Sequence, residues 1–205
     1  MRKGKRIGRK KVVAALVIGA MACGLAAVAM PKDAGFAKAA GVVLVSPTAA
    51  GSEGDCKYVY DAGEKVFDVD HHVYTTQTGK YINGGKPKTG EMILAGRNRY
   101  LLYNGKWQKS PLDIEEGKKL AQENRKNNKS TCHYLRDELV GGDAAQVYSM
   151  RTDLDGSNND HTIWISKSRG LYLRQESDIS VNGTESDKFH ISTRYEYTNV
   201  HAPQM

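Results

Sequence analysis

From about residue 72 to residue 200 the apolar and aromatic residues recur with a period of two, which restricts this part of the chain to antiparallel strands. The last stretch is the clearest. Phe189, Ile191, Thr193, Tyr195 and Tyr197 fall on one side, and His190, Ser192, Arg194, Glu196 and Thr198 on the other. Such a strand has one packed and one wet face. Further runs rich in Tyr, Val, Thr and Ile predict strands near 72–78, 90–95, 98–104, 106–109, 132–139, 144–152, 161–167, 171–177 and 187–200. Asn104-Gly105, Gly141-Gly142-Asp143 and Ser168-Arg169-Gly170 supply the turn residues between them.

Two segments break the alternation. Cys56, Val59, Tyr60, Val66 and Phe67 are spaced as on one face of a helix over 55–67, with Ser52 or Asp55 available as a cap. Residues 112–127 open with Asp113, Glu115 and Glu116 and close on Lys and Arg, the order that suits a helix dipole. The chain therefore reads as α+β and mainly β: a large antiparallel meander with two helices.

The N-terminus is of another kind. Seven basic residues precede an apolar run from Val12 to about Ala29, a basic region joined to a hydrophobic one as in a secretory leader. Ala27-Val28-Ala29 and Ala37-Lys38-Ala39 offer small-x-small sites, so cleavage is expected between about 29 and 40. The alternative is an uncleaved inner-membrane anchor, since about 18 residues just reach spanning length. Neither a lipoprotein signal at Cys23 nor a twin-arginine signal fits, because Ala20 stands where a leucine is wanted and no Arg-Arg pair precedes the run. The general secretory route to the periplasm is the expectation. Residues 1–40 are read as leader and start of a linker, 41–54 as the rest of the linker, and 55–201 as one folded domain.

The net charge of +7 belongs to the leader. Residues 1–40 hold 9 of 30 basic and 1 of 23 acidic residues, which leaves 21 against 22 for the rest. A near-neutral domain lacks the electrostatic footprint of nucleic-acid binding. Without the leader only Cys56 and Cys132 remain, and in an oxidising compartment a disulfide is expected, two buried free thiols being the alternative.

Several segments imitate functional motifs. Gly79 to Lys86 departs from a phosphate loop in spacing and in Pro87, and reads as a hairpin loop. Asp153 to Asp160 is rich in oxygen ligands but lacks the glycine and glutamate positions of a calcium loop, so a solvated hairpin loop is expected. The six histidines are scattered, and neighbours on a strand such as His71 and His72 point to opposite faces, so neither a metal site nor a cofactor is expected. No nucleophile elbow and no free thiol is present, which favours binding over catalysis. Asn182-Gly183-Thr184 reads as a turn.

Trp107, Trp164 and most of the eleven tyrosines lie on expected strands. Tyr100-Leu101-Leu102-Tyr103-Asn104-Gly105-Lys106-Trp107, Thr162-Ile163-Trp164-Ile165-Ser166-Lys167, Gly170-Leu171-Tyr172-Leu173-Arg174 and Tyr195-Glu196-Tyr197-Thr198-Asn199-Val200 follow one another in that order. In this the chain resembles the LolA/LppX-like group of exported carriers. The resemblance implies a single curved antiparallel sheet, an unclosed half-barrel, with helices over its concave side and an acyl-chain cavity. It points to Met92, Leu94, Tyr100, Leu102, Val147, Trp164, Tyr195 and Tyr197 as ligand-lining residues. The function implied is a monomeric periplasmic carrier of a lipid or other apolar ligand. The alternative is an interaction or envelope-stress regulatory module whose sheet docks an envelope protein.

Overall fold

The computed structural model of the protein describes residues 53–80, 82–127, 129–154, 157–180 and 188–205. The leader, most of the linker, Gly156 and the Asn182-Gly183-Thr184 turn lie outside the described residues.

Helix α1 (Glu53–Lys65) runs into a 3-10 turn at Val66–Asp68, and strand β1 (His71–Gly79) follows. β2 (Lys88–Ala95), β3 (Asn98–Tyr103) and β4 (Lys106–Pro111) complete a meander to one edge of the sheet. Helix α2 (Ile114–Asn127) carries the chain to the far edge, where β5 (Lys129–Val140) begins a second meander through β6 (Asp143–Leu154), β7 (Ser157–Ser166), β8 (Tyr172–Ser180) and β9 (Lys188–Glu196). The order is β4-β3-β2-β1-β9-β8-β7-β6-β5, with every pair antiparallel. First and last strands thus meet in the middle, and among the described residues no strand pairs with the outer sides of β4 and β5. This is the expected unclosed half-barrel.

The nine strands follow the predicted ones with small shifts. Asp153 to Asp160 is the largest correction, because β6 runs to Leu154 and β7 restarts at Ser157, so most of the expected loop belongs to the two strands. Asn158 and Asn159 pair with Ser180 and Ile179, so cross-strand bonding outweighs the local turn preference of these residues. β9 stops at Glu196, four residues short of the expected end, and Asn199 beyond it has a left-handed backbone (φ 55°) that a strand cannot continue through.

The core lies between α1 and the concave face. Val59, Tyr60, Ala62, Val66 and Phe67 are buried against Val73, Met150, Ile163, Ile165 and Ile191. Cys56 is bonded to Cys132 of β5, and Asp55 accepts the backbone N–H of Tyr134 at 3.1 Å, so the start of α1 is tied twice to one edge strand. A bulge between Tyr134 and Arg136 falls at the same place. α2 packs on the turn of α1, through Lys118–Asp68 at 2.5 Å and the Arg125 guanidinium 4.8 Å over the Tyr60 ring. Its start is capped by Asp113, which accepts the N–H of Glu116 at 3.0 Å. Among the described residues no helix is long and apolar enough to cross a membrane.

Candidate functional site

The strand registers place the inward side chains of the concave face in rows. One runs Gln77, Ile191, Ser177, His161, Met150, Cys132 from β1 to β5. Beside it lie Thr75, Thr193, Gln175, Ile163 and Tyr148 on one flank and Phe189, Ile179, Asn159 and Thr152 on the other. The three rows therefore carry a strip of uncharged polar side chains, Gln175, Ser177, His161 and Asn159, interleaved with Ile163, Ile179, Ile191 and Met150, and none of these rows holds an Asp, Glu, Lys or Arg.

The strip is buried, and it is internally bonded on one side only. Gln175 Nε2 donates to Ser177 Oγ at 3.1 Å, and that hydroxyl lies 2.8 Å from His161 Nδ1. An amide N–H can only donate, and Gln175 Nε2 also lies 3.4 Å from Nδ1, so an unprotonated Nδ1 that takes the Ser177 hydroxyl proton fits both contacts and puts the ring proton on Nε2. Burial pushes the His161 pKa down to about 4, so the ring is neutral at pH 7. His161 Nε2, Gln175 Oε1 and Asn159 Oδ1 are buried and have no hydrogen-bond partner among the described residues. Each such atom costs about 1–3 kcal/mol in desolvation.

The aromatic end of the same face behaves differently. Tyr172 donates to the Val59 carbonyl at 2.9 Å, Tyr197 to the Tyr172 carbonyl at 2.6 Å, and His71 Nδ1 sits 2.7 Å from the Val69 carbonyl. Their polar tips are used inside the protein, and burial raises the phenol pKa values and lowers that of His71. These groups hold the fold together.

The eight residues singled out from the sequence do not share a face. Met92, Leu94 and Tyr195 are in the core under the helices, with Tyr197 packed at its margin. Tyr100 is opposite Ile93, and Leu102 opposite Trp107, on the outer side of the sheet, while Val147 and Trp164 form a small outer cluster with Ala145 and Leu173. His161, Gln175, Ser177 and Asn159 were passed over because polar residues on strands read as solvated. Their phase was the available signal: Gln175 and Ser177 alternate with Ile179, and His161 alternates with Ile163 and Ile165.

The outer face is charged but self-neutralised. His190 lies 2.8 Å from Asp178 and 2.7 Å from Glu176, one carboxylate on each ring nitrogen. Burial works against its protonation, and the hydrogen bonds that its ring donates to Asp178 and Glu176 outweigh this and raise its pKa. Arg174 stacks over Trp164 at 4.8 Å and Arg194 over Tyr74 at 4.5 Å. An open depression of about 380 Å³ is lined by His133, Arg151, Asp160 and Glu176 together with Met150 and His161, and its charged groups suit solvent better than an acyl chain. Among the described residues no three His, Cys, Asp or Glu side chains are placed to hold a metal. Among the described residues no carboxylate orients the imidazole of the Ser177–His161 pair, since Asp160 and Asp178 project from the outer face.

No protein-family model matches the chain, and no curated protein matches it in sequence. Among solved structures it is similar to LprF from Mycobacterium bovis, with 12% identity and a TM-score of 0.35 over 71% of this chain and 92% of that one.

Proposed function

We propose that the chain is an exported binding protein that carries an apolar ligand, such as a lipid acyl chain, against the concave face of the half-barrel. The observation that carries the reading is the set of three buried polar atoms without a partner among the described residues, on His161, Gln175 and Asn159, beside the apolar Ile163, Ile179 and Ile191 of the same face. A fold retains such atoms at a stability cost where a ligand uses them. Ile163, Ile179, Ile191 and Phe189 beside them supply the apolar contact, at about 0.8 kcal/mol per buried CH₂. Export to the periplasm is supported by the basic and apolar leader together with the Cys56–Cys132 bond, which needs an oxidising compartment.

The test is ligand-linked stability. A ligand present at 100 times its Kd stabilises the folded state by about 2.7 kcal/mol. The melting temperature of delipidated protein should rise by several degrees on addition of a sixteen-carbon acylglycerol, and a melting curve unmoved by any long-chain compound would sink the reading.

A second reading has its own support at β5. This edge exposes Tyr134, Leu135 and Leu139, the last 73% exposed, whereas the opposite edge, β4, is guarded by Lys106, Lys109 and Pro111. β5 is thus the edge suited to add a strand from an envelope protein. A photo-crosslinker at Leu139 that captures no single envelope protein would remove this reading.

A further inference from the structure

The polar strip also specifies what kind of apolar ligand fits, and this step rests on the concave face being the ligand site. We infer that His161, Gln175 and Asn159 select a ligand whose polar group is an uncharged hydroxyl or carboxamide, and that the site discriminates against a free carboxylate or phosphate. The three unpartnered atoms comprise one donor, the Nε2–H of His161, and two acceptors, Gln175 Oε1 and Asn159 Oδ1. A hydroxyl donates one proton and accepts into two lone pairs, and a carboxamide has two protons to give and one oxygen to receive. Either can satisfy the donor and at least one acceptor together.

An anion meets the opposite situation. A carboxylate can take the single N–H of His161, but it then brings negative charge toward two carbonyl oxygens in a desolvated site. The rows around the strip contain no Lys or Arg to neutralise it, and Arg174 and Arg194, the nearest cations in sequence, stack on Trp164 and Tyr74 on the other side of the sheet. The Nε2–H tautomer fits the contacts of Nδ1 with both Ser177 Oγ and the Gln175 amide nitrogen, and burial disfavours the imidazolium that would otherwise welcome an anion. An alkyl chain with no polar group leaves all three atoms unpaired.

The experiment uses protein exported from cells that express the full-length chain, stripped of lipid on a hydrophobic resin. It is titrated at pH 7.5 with monopalmitoylglycerol, hexadecanamide, palmitate and hexadecyl phosphate below their micelle concentrations. Monopalmitoylglycerol or hexadecanamide, or both, should bind at least tenfold more tightly than either anion, and which of the two leads identifies a hydroxyl or a carboxamide ligand. Gln175→Leu and Asn159→Leu should bring that preference below threefold. Palmitate or hexadecyl phosphate binding as well as the neutral ligands would overturn the selectivity and leave the carrier reading standing, as would a preference that both variants retain. Binding of none of the four would remove the carrier reading and the selectivity with it. Should both variants fail to fold, the ranking of the four ligands on the unaltered protein decides alone.

Discussion

The hydroxyl of Tyr172 on β8 donates a 2.9 Å hydrogen bond to the main-chain carbonyl of Val59 on α1, 113 residues earlier in the chain. Both residues are almost fully buried, so this bond fixes how α1 lies across the sheet. Tyr172→Phe keeps the ring and removes the bond. It should lower stability by about 1 kcal/mol in urea denaturation. A loss near zero would mean that α1 is held by its apolar contacts and the disulfide alone.

The Cys56–Cys132 bond closes a loop of 76 residues between α1 and β5. The chain-entropy account gives about 4 kcal/mol for a loop of this size, an upper range for what is measured. Reduction, or Cys132→Ala, should lower the urea midpoint by an amount corresponding to about 2–4 kcal/mol. An unchanged midpoint would show that the unfolded chain is already confined by other contacts.

Histidines on the two faces work in opposite directions. The folded-state pKa of His161 is pushed down to about 4 by burial, and burial also lowers that of His71. Their unfolded forms therefore take up protons first, and stability present above about pH 6.5 is lost as pH falls toward 4. His190 is raised, so its contribution is full below about pH 6.5 and disappears as pH rises through its folded value. His161→Gln should lose stability less steeply than the parent between pH 6.5 and 4.5. His190→Gln should be less stable than the parent at pH 5.5 and converge with it by pH 8.5. Parallel curves for the parent and both variants would contradict these assignments.

If the concave strip is kept for a ligand, its polar atoms weaken the empty protein. Replacing Gln175 with Leu removes an unpartnered buried carbonyl at nearly the same volume, so ligand-free stability should hold or rise, by up to about 1 kcal/mol. A loss above about 2 kcal/mol would instead show that Gln175 is structural, through its bond to Ser177.

The sheet was legible in the sequence because its strands are long, alternate cleanly and are separated by turns such as Asn104-Gly105, where both residues have positive φ. α1 was legible for a similar reason, since Cys56, Val59, Tyr60 and Val66 are buried at helical spacing. What could not be read was the inward side of strands without alternation. Ile163-Trp164-Ile165 offers three apolar residues in a row, and only the pairing with β6 and the packing show that both isoleucines point inward while the indole faces out. Tyr100-Leu101-Leu102-Tyr103 poses the same ambiguity, resolved by pairing with β2, where Met92 stands opposite Leu101. The polar strip was missed because hydrophobicity served as the marker of the inside. On β8 the inside is Gln175 and Ser177, and only their phase with Ile179 says so.

Native mass spectrometry of the protein recovered from the periplasm, with lipid extraction of the same sample, tests the central claim most directly. The account predicts an added non-covalent mass that leaves on denaturation and is recovered in the extract as an uncharged, long-chain compound. A bare polypeptide mass that stays bare after incubation with acylglycerols and fatty acids would contradict it.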